Sequence, residues 1–220
     1  MSEIVKKYNR SLKDSFSGDR VSFQMRAAGT IKRLFEESLG LKFEGKFLDI
    51  GCGDGSFVRA RHGMGNFEAQ GIDIDSGVDF EKDLFPFEEN TFDIGLLYAV
   101  IEHIVNPNNL LKESHRIIKR DQHLIVITPN IDTAGPRFYN DPTHVRPYNP
   151  VSLEILMRMY GFEKTFVGLW TVGKSNLFWK LPTFLQFKIG VCLPFSGSQK
   201  FAPLFLKGKS ATMIGVFKKV

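Results

Sequence analysis

The feature of this sequence that most constrains its fold is an apolar run leading directly into a glycine-rich turn. Phe47-Leu48-Asp49-Ile50 has the composition of a buried strand, and Gly51-Cys52-Gly53-Asp54-Gly55 follows it at once. Glycines in a turn let the backbone approach a ligand closely. Phe57, Val58 and Ala60 then predict a helix, whose amino end offers unpaired N–H groups to a ligand. The segment therefore predicts a nucleotide-like ligand at a strand-to-helix turn.

Short apolar runs alternate with helical patterns along the rest of the chain. Strands are predicted at 67–74, 92–100, 123–127, 162–170 and 211–217, and helices at 110–118 and 151–160. Asn149-Pro150 opens the last helix, because proline early in a helix loses no hydrogen bond. This alternation indicates a parallel sheet covered by helices on both faces.

Residues 1–45 are polar and compatible with helix. Ile31, Leu34, Phe35 and Leu39 recur at helical spacing, which predicts an amphipathic helix before the first strand. Leu39-Gly40-Leu41 is expected to end this helix, because glycine readily adopts the left-handed cap conformation.

Length and composition favour one globular domain. The 220 residues fit one large domain better than two, and their 43% hydrophobic and 24% charged fractions are ordinary for a globular protein. Cys52 and Cys192 are too few for a disulfide framework and suit a reducing compartment. The first residues contain no apolar run typical of a signal peptide, so we expect a cytoplasmic protein.

The spacing of the glycines argues against a dinucleotide. The usual fingerprint is G-x-G-x-x-G, and Ser56 stands at its third position while Gly55 comes one residue early. Asp73, 22 residues after Gly51, lies where an acid can accept hydrogen bonds from ribose hydroxyls. Taken alone, Asp73 could equally end a strand and begin a turn.

These residues resemble the first motif of the class I S-adenosylmethionine-dependent methyltransferases, where an acid stands two residues before the first glycine, as Asp49 does. Further segments resemble this family in the same order over residues 45–165: Lys82-Asp83-Leu84, Pro86-Phe87, Asn90 to Asp93, Ala99 to Ile104, Leu111 with Glu113, Arg116 and Ile117, and Thr128-Pro129-Asn130. The chain departs from the family at Lys119 to Gln122, where a Pro-Gly-Gly type of turn usually precedes the fifth strand.

The resemblance implies a Rossmann-like, doubly wound α/β fold with a mostly parallel seven-stranded sheet whose last strand is antiparallel. Together with the length and the patterns above, it indicates one domain over 1–220, with a helical region at 1–45, a cofactor-binding core at 46–170 and a basic, aromatic-rich insertion at 171–210 before the last strand. It also implies S-adenosyl-L-methionine as cofactor, with Asp73 on the ribose and Asp83 facing the adenine amino group. The implied cofactor-binding residues are Asp49, Gly51, Cys52, Gly53, Gly55, Asp73, Ile74, Asp83, Leu84 and Ala99.

A narrower resemblance concerns the acceptor. The segment from Tyr139 to Tyr148 is similar to one in methyltransferases associated with bacterial and archaeal surface-glycan synthesis. Its two prolines would stiffen the loop and fix His144 and Arg146. Arg146, Asp141 and Thr143 are therefore expected to bind the acceptor, with Arg146 suited to a phosphate or carboxylate. The alternative is a rigid polar loop in which His144 is hydrogen-bonded for structure alone.

Methylation of a sugar hydroxyl requires removal of a proton, which a histidine can accept near neutral pH. His144 is the first candidate base. His103 is the second, because it follows the predicted strand at 92–100, at the carboxyl edge of the sheet where ligands bind. The alternative is that His103 makes a structural contact only. Asp141 and His144 alone are too few for a metal site, and none is predicted.

The end of the chain is basic. The net charge is +5, and nine lysines but no acidic residue follow Glu163. Residues 171–210 mix these lysines with bulky apolar side chains, which suits peripheral contact with an anionic membrane at its inner face or a lid packed over the active site. A nucleic-acid substrate is disfavoured, because Ala99 to Glu102 replaces the Asn/Asp-Pro-Pro-aromatic motif.

The function expected from these patterns is methyl transfer to a hydroxyl of a sugar or glycan precursor. One alternative is methylation of a small lipid-like or aromatic acceptor, which the phenylalanine-rich end could hold. The other is a non-catalytic cofactor-binding or scaffold protein. The sequence indicates no oligomeric state.

Overall fold

The computed structural model describes residues 20–62, 67–171 and 207–220, with isolated positions between 181 and 196. The helices are α1 (Arg20–Arg33), α2 (Ser56–His62), α3 (Asn108–Ile117), α4 (Ile131–Ala134) and α5 (Pro150–Met159). A π-helical turn, Leu34–Ser38, continues α1, and 3-10 turns occupy Ile74–Ser76, Ile101–His103 and Gly135–Asn140. The strands are β1 (Gly45–Ile50), β2 (Phe67–Ile72), β3 (Phe92–Tyr98), β4 (Ile118–Pro129), β5 (Phe162–Leu169), β6 (Phe195–Ser196), β7 (Lys207–Lys209) and β8 (Thr212–Lys219).

Six strands form the main sheet in the order β2-β1-β3-β4-β8-β5. The pairs β1–β2, β1–β3 and β3–β4 are parallel, whereas β8 runs antiparallel to both β4 and β5. The mostly parallel sheet and its antiparallel last strand are therefore as predicted. β6 and β7 pair in a separate two-stranded sheet.

The predicted count of seven strands is not confirmed, because the main sheet has six among the described residues. The segment between β2 and β3 forms turns. Asp83 accepts a hydrogen bond on Oδ2 from the N–H of Asp79 at 2.8 Å and donates its own N–H to the carbonyl of Asp79. Such local bonds offer the backbone an alternative to a strand ladder.

The sheet is covered on both faces, as a doubly wound fold requires. One core contains Leu48, Leu97 and Val126 and packs against α3 and α5. The other contains Phe47 and Ile125 and packs against α1, α2 and Trp170. Neighbouring strand residues thus enter opposite cores, because side chains alternate between the two faces of a strand.

The first four strands end at one edge of the sheet. Ile50 pairs with Ile72 and with Leu97, and Tyr98 pairs with Ile127. The turns that follow β1, β2, β3 and β4 therefore meet at this carboxyl edge, where ligands bind in open α/β sheets.

Helix α5 begins where the sequence predicts. Asn149 accepts a hydrogen bond on its side chain from the N–H of Ser152, and the Ser152 hydroxyl accepts one from the N–H of Asn149. This reciprocal capping satisfies two backbone donors that would otherwise be unpaired at the helix end. Leu153 and Met157 then face the core.

The predicted basic insertion, residues 171–210, lies largely outside the described residues. At two described positions, Leu181 and Ile189, the side chains are partly buried against the core that contains α1. Within the described residues, we find no helix that is both long and apolar enough to cross a membrane.

Candidate active site

The glycine-rich turn after β1 is held against the end of β2. Gly51 and Cys52 both donate their N–H groups to the carbonyl of Ile72, at 2.8 and 3.1 Å. Gly51, Gly53 and Gly55 have φ angles of 85°, 55° and 70°, which side-chain-bearing residues rarely adopt. A Cβ atom at Gly51 would also collide with a methyl group of Val100. Glycine is therefore required at Gly51 by both backbone conformation and space.

Asp73 follows β2 and contacts the turn. Its Oδ2 accepts the N–H of Gly53 at 2.9 Å, and its Oδ1 accepts the N–H of Asp75 at 3.1 Å. Each carboxylate oxygen has about two lone pairs, so Asp73 retains acceptor capacity for hydroxyl groups. The structure thus brings together the glycine-rich turn and Asp73, the two features that the sequence predicts at a nucleotide-like ligand.

Asp49 lies beneath the same turn and is almost completely buried, with 3% of its surface exposed. Burial, and then the negative charges of Asp73 and Asp54, raise the pKa of Asp49 to about 7. Burial likewise raises the pKa of the Cys52 thiol to about 12. This end of the site concentrates carboxylates, which suits a ligand that carries positive charge.

Asp83 and Leu84 lie in the loop between β2 and β3. Asn109 on α3 fixes the loop by donating from Nδ2 to the carbonyl of Asp83 at 2.9 Å and to that of Phe80 at 3.2 Å. The Asp83 carboxylate is only partly buried, and Leu84 is 76% exposed. Both side chains are therefore accessible to a ligand.

The turn after β3 carries backbone strain and a buried acid. Ala99 has a φ of 55°, a conformation that costs a non-glycine residue about 1–2 kcal/mol. Glu102, three residues later, is completely buried. Its Oε2 accepts a hydrogen bond from the hydroxyl of Thr128, at the end of β4, at 2.9 Å. Burial raises the pKa of Glu102 to about 7, although the Thr128 hydroxyl opposes the rise.

The two candidate bases, His103 and His144, lie side by side, with ring centroids 4.8 Å apart. Nδ1 of His103 lies 2.9 Å from the hydroxyl of Thr143 and 3.2 Å from its carbonyl oxygen. Because a carbonyl only accepts, Nδ1 carries the proton and the Nε2 lone pair of the neutral ring stays available. Burial and the neighbouring His144 lower the pKa of His103 below its ordinary value.

His144 is held in the same way. Its Nδ1 donates to the carbonyl of Phe138 at 2.7 Å, and its ring packs on that of Phe138 with centroids 4.6 Å apart. Nε2 of His144 lies 3.8 Å from Oδ2 of Asp141, beyond hydrogen-bonding distance. The two histidines thus present the same ring nitrogen, Nε2, to their surroundings.

The segment after β4 packs against the turn after β3 through contacts of Asp141, Thr143 and Arg146. The Thr143 hydroxyl donates to Oδ1 of Asp141 at 2.6 Å. Although burial raises the pKa of Asp141, hydrogen bonds from the Thr143 hydroxyl and N–H keep it below the usual range. The Arg146 N–H donates to the carbonyl of Glu102 at 3.1 Å, and its guanidinium donates to that of Val105 at 2.6 Å.

The sequence thus supplied most residues of this edge but did not single out Glu102 or Thr128. One carboxylate oxygen of Glu102 and one ring nitrogen each of His103 and His144 lie within 4.8 Å of one another. The adjacent pair Glu102-His103, followed by a histidine in the loop after β4, is the signal that could have revealed this cluster.

The sheet order and the glycine-rich turn at its carboxyl edge define the class of protein: an α/β domain of the class I methyltransferase type. Residues 23–166 match the sequence profile of the Methyltransf_23 family, which is described as a methyltransferase domain. The chain belongs to that family. The predicted S-adenosylmethionine cofactor is confirmed by this membership and by the solved structures described below.

Curated relatives match part of the chain. An uncharacterized protein of Methanocaldococcus jannaschii, MJ0638, is 37% identical over 126 residues, 49% of this chain and 54% of that protein. The ubiquinone biosynthesis O-methyltransferase of Maricaulis maris is 29% identical over 107 residues, 40% of this chain and 42% of that enzyme. The chain therefore spans about half the length of these relatives.

Solved structures share the fold across most of the chain. A S-adenosylmethionine-dependent methyltransferase from Archaeoglobus fulgidus aligns with a TM-score of 0.63 at 19% identity, covering 96% of this chain and 100% of that one. One from Mesorhizobium loti aligns with a TM-score of 0.56 at 12% identity, covering 83% and 95%. The [4+2]-cyclase SpnF also aligns, with a TM-score of 0.56 at 18% identity, covering 86% and 80%. These likenesses show the fold alone.

Proposed function

We propose that this chain transfers the methyl group of S-adenosylmethionine to a hydroxyl oxygen of a sugar or glycan precursor. The observation that carries the proposal is the pair His103 and His144, whose Nδ1 protons are both tied to carbonyl oxygens at the carboxyl edge of the sheet. A neutral hydroxyl is a poor nucleophile, so its methylation needs a group that promotes loss of its proton. The histidine pair supplies that group beside the predicted cofactor site.

The reaction is an in-line displacement at the methyl carbon. The acceptor oxygen attacks, the carbon–oxygen bond forms, and the carbon–sulfur bond breaks with its electron pair left on sulfur. Because the sulfonium is already reactive, the protein acts largely through proximity and orientation, which are worth ~7–11 kcal/mol in well-aligned reactions. The segment from Asp141 to Arg146, tied to the Glu102 carbonyl, would hold the acceptor in line.

A labelled-methyl assay against nucleotide-linked and lipid-linked sugars tests the proposal. His103→Ala and His144→Ala are expected to lower turnover ~10²–10⁴-fold, the range for general acid–base groups, with little change in cofactor affinity. His115→Ala is the matched control, because His115 lies on α3 with its ring against Phe162. Full turnover in both site variants would exclude the histidines from the reaction.

A second candidate is a small lipid-like or aromatic acceptor. Val105, Tyr139 and Val145 lie within five residues of His103 or His144 in the chain and are exposed, at 61%, 59% and 49%. One curated relative is a ubiquinone biosynthesis O-methyltransferase. The assay therefore includes prenylated and simple phenols, and methylation of these but not of sugars would select this second acceptor class.

A non-catalytic or non-methylating role is the remaining alternative, since the cyclase SpnF has the same fold. Formation of S-adenosylhomocysteine in the presence of an acceptor separates a methyltransferase from both. Peripheral membrane contact through residues 171–210 also stays a proposal. It is tested by co-sedimentation with anionic vesicles at low and high salt, because electrostatic binding weakens with salt.

A further inference from the structure

Three side chains at the site form a donor set for a metal ion. Glu102, His103 and His144 each place one ligand atom within 4.8 Å of the other two, and they are the sole such group within residues 20–62, 67–171 and 207–220. They come from two separate segments, the turn after β3 and the loop after β4. Tertiary folding, therefore, and not sequence proximity, assembles the set.

Both imidazoles have the orientation that metal-binding histidines adopt. A histidine ligand almost always donates its other ring N–H to a carbonyl, a carboxylate or water, which fixes the tautomer. His144 donates from Nδ1 to the Phe138 carbonyl, and His103 does so to the Thr143 carbonyl and hydroxyl. The Thr143 hydroxyl continues the chain to Asp141. Each Nε2 is thereby left as the nitrogen that can bind a metal.

Glu102 supplies the second, independent observation. Its carboxylate is fully buried, and Thr128 fixes Oε2. The other oxygen, Oε1, is buried without a hydrogen-bond partner in the described structure. A buried acceptor without a partner costs roughly 1–3 kcal/mol, and a bound cation would remove that cost.

We propose that Glu102, His103 and His144 bind one divalent transition-metal ion. Imidazole donors favour zinc, cobalt, iron or nickel over magnesium and calcium, which prefer all-oxygen sites. Two histidines and one glutamate are the protein ligands of several catalytic zinc sites and leave a coordination position open. Bonds of ~2.1 Å put ligand atoms roughly 3–4 Å apart, so side chains whose ligand atoms already lie within 4.8 Å of one another need only small movements to bind the ion.

The catalytic consequence rests on the proposed function. The acceptor hydroxyl would occupy the open position, and the metal would lower its pKa so that its proton passes to solvent water. The resulting oxygen attacks the methyl carbon, the carbon–sulfur bond breaks, and S-adenosylhomocysteine, the methyl ether and one hydrated proton are the products. The two histidines then promote deprotonation through the metal and not as free bases.

Metal binding is tested without any acceptor. Chelator-treated full-length protein is titrated with Co²⁺, followed by its visible absorption, and with Zn²⁺ by calorimetry. We expect wild type to bind one ion per chain. Substitution of a residue that orients a metal ligand typically weakens metal binding ~10–100-fold, and we expect Glu102→Gln, His103→Ala and His144→Ala to weaken Co²⁺ binding by more than that. His115→Ala is expected to bind as wild type does.

Cofactor binding and melting temperature, measured on each variant, show that it is folded. Glu102→Gln is the most informative, since the amide keeps an oxygen for Thr128 while losing the charge. The proposed site would be overturned if wild type bound no Co²⁺. It would also be overturned if the folded Glu102→Gln and His144→Ala variants bound Co²⁺ as tightly as wild type does.

The second arm measures turnover once an acceptor is known. Chelated protein is expected to lose activity and to regain it with Zn²⁺ or Co²⁺. Full turnover after chelation would overturn the role of the metal in the reaction, and the histidines would then act as free bases. Failure of every acceptor would overturn the proposed function instead, while the metal-binding result stands.

Discussion

Thr143 fixes the ring proton of His103 on Nδ1. The Thr143 hydroxyl donates its only proton to Oδ1 of Asp141 at 2.6 Å, so it can only accept from Nδ1, 2.9 Å away. The sequence predicts that Asp141 and Thr143 bind the acceptor. Their hydrogen bonds also let them position the ring of His103, forty residues earlier in the chain.

Thr143→Val keeps the shape of the side chain and removes this hydroxyl. We expect turnover to fall about tenfold with unchanged cofactor affinity, in line with the ~10–100-fold effect of groups that orient a metal ligand. Thr143→Ser restores the hydroxyl and should restore most of the turnover. Thr91→Val, in an exposed turn where the hydroxyl bonds only the Glu88 carbonyl, is the control. Equal losses in the serine and valine variants would point to packing.

Asp49 makes stability depend on pH. Its pKa is about 7 in the folded protein and 3.8 as the ordinary value, so the unfolded state loses this proton first. Because the folded protein holds this proton more tightly, protonation of Asp49 favours the folded state below pH 3.8. This contribution to the free energy of unfolding is lost as the pH rises and is gone above pH 7, where the folded carboxyl also ionises. Asp49→Asn should therefore become more stable relative to wild type by about 2–3 kcal/mol between pH 5 and pH 8.

Urea unfolding at several pH values measures this difference. Asp121→Asn, on an exposed turn beside Lys218, is the matched control and should stay within about 0.5 kcal/mol of wild type. The Asp49 variant is also expected to bind S-adenosylmethionine less tightly, because functional sites commonly sacrifice stability for binding. A pH-independent stability difference would show that the carboxylate of Asp49 is not destabilising.

Features of this fold that depend on neighbouring residues are predicted well from the sequence, and features that depend on contacts between distant segments are not. The strand before Gly51, the turn and α2 follow from local composition, and the structure has them where predicted. β4 is longer than predicted and begins at Ile118, which pairs with Phe92 of β3. The register then shifts, and pairing resumes at His123, where the predicted strand begins. The count of seven strands comes from the family resemblance, whereas the apolar runs predict six strands, and six form the main sheet among the described residues.

The cluster of Glu102, His103 and His144 was only half predictable. Both histidines follow from their places after predicted strands. The role of Glu102 depends on Thr128, which is 26 residues away, and on burial by the returning loop. The adjacent pair Glu102-His103 points to a shared site, but an acid after an apolar strand carries no sign of such burial, which the structure alone shows.

Gly51 should tolerate substitution less well than Gly53. Alanine at either site costs about 1–2 kcal/mol for the positive φ. At Gly51, the new methyl also collides with Val100, and overpacking adds ~1–3 kcal/mol, whereas at Gly53 it meets no described atom within 4 Å. Denaturation of both variants measures the difference. In a double-mutant cycle, Val100→Ala should recover ~1 kcal/mol of the Gly51→Ala loss, and strict additivity would contradict the collision.

Glu113 ties α3 to the loop that carries Asp83. Its Oε2 accepts the N–H of Phe85 at 2.8 Å and the guanidinium of Arg116 at 2.6 Å, and Arg116 also donates to the Phe85 and Phe87 carbonyls. Glu113 is 5% exposed. Burial raises its pKa, but hydrogen bonds from Arg116 and Phe85 more than offset this, and the pKa is lowered.

Glu113→Gln should therefore cost about 2–4 kcal/mol near neutral pH, because it leaves Arg116 without its buried counter-charge. Because the pKa of Glu113 is lowered in the folded protein, ionisation of Glu113 favours the folded state above pH 4.5, the ordinary pKa. The stability advantage of wild type over the variant should therefore fade as the pH falls below 4.5. The KM for S-adenosylmethionine should rise as the Asp83 loop loosens. Glu154→Gln removes the more exposed pairs with Arg158 and Lys164 and should cost no more than ~1 kcal/mol. Equal costs in the two variants would mean that burial adds nothing to the Glu113 interaction.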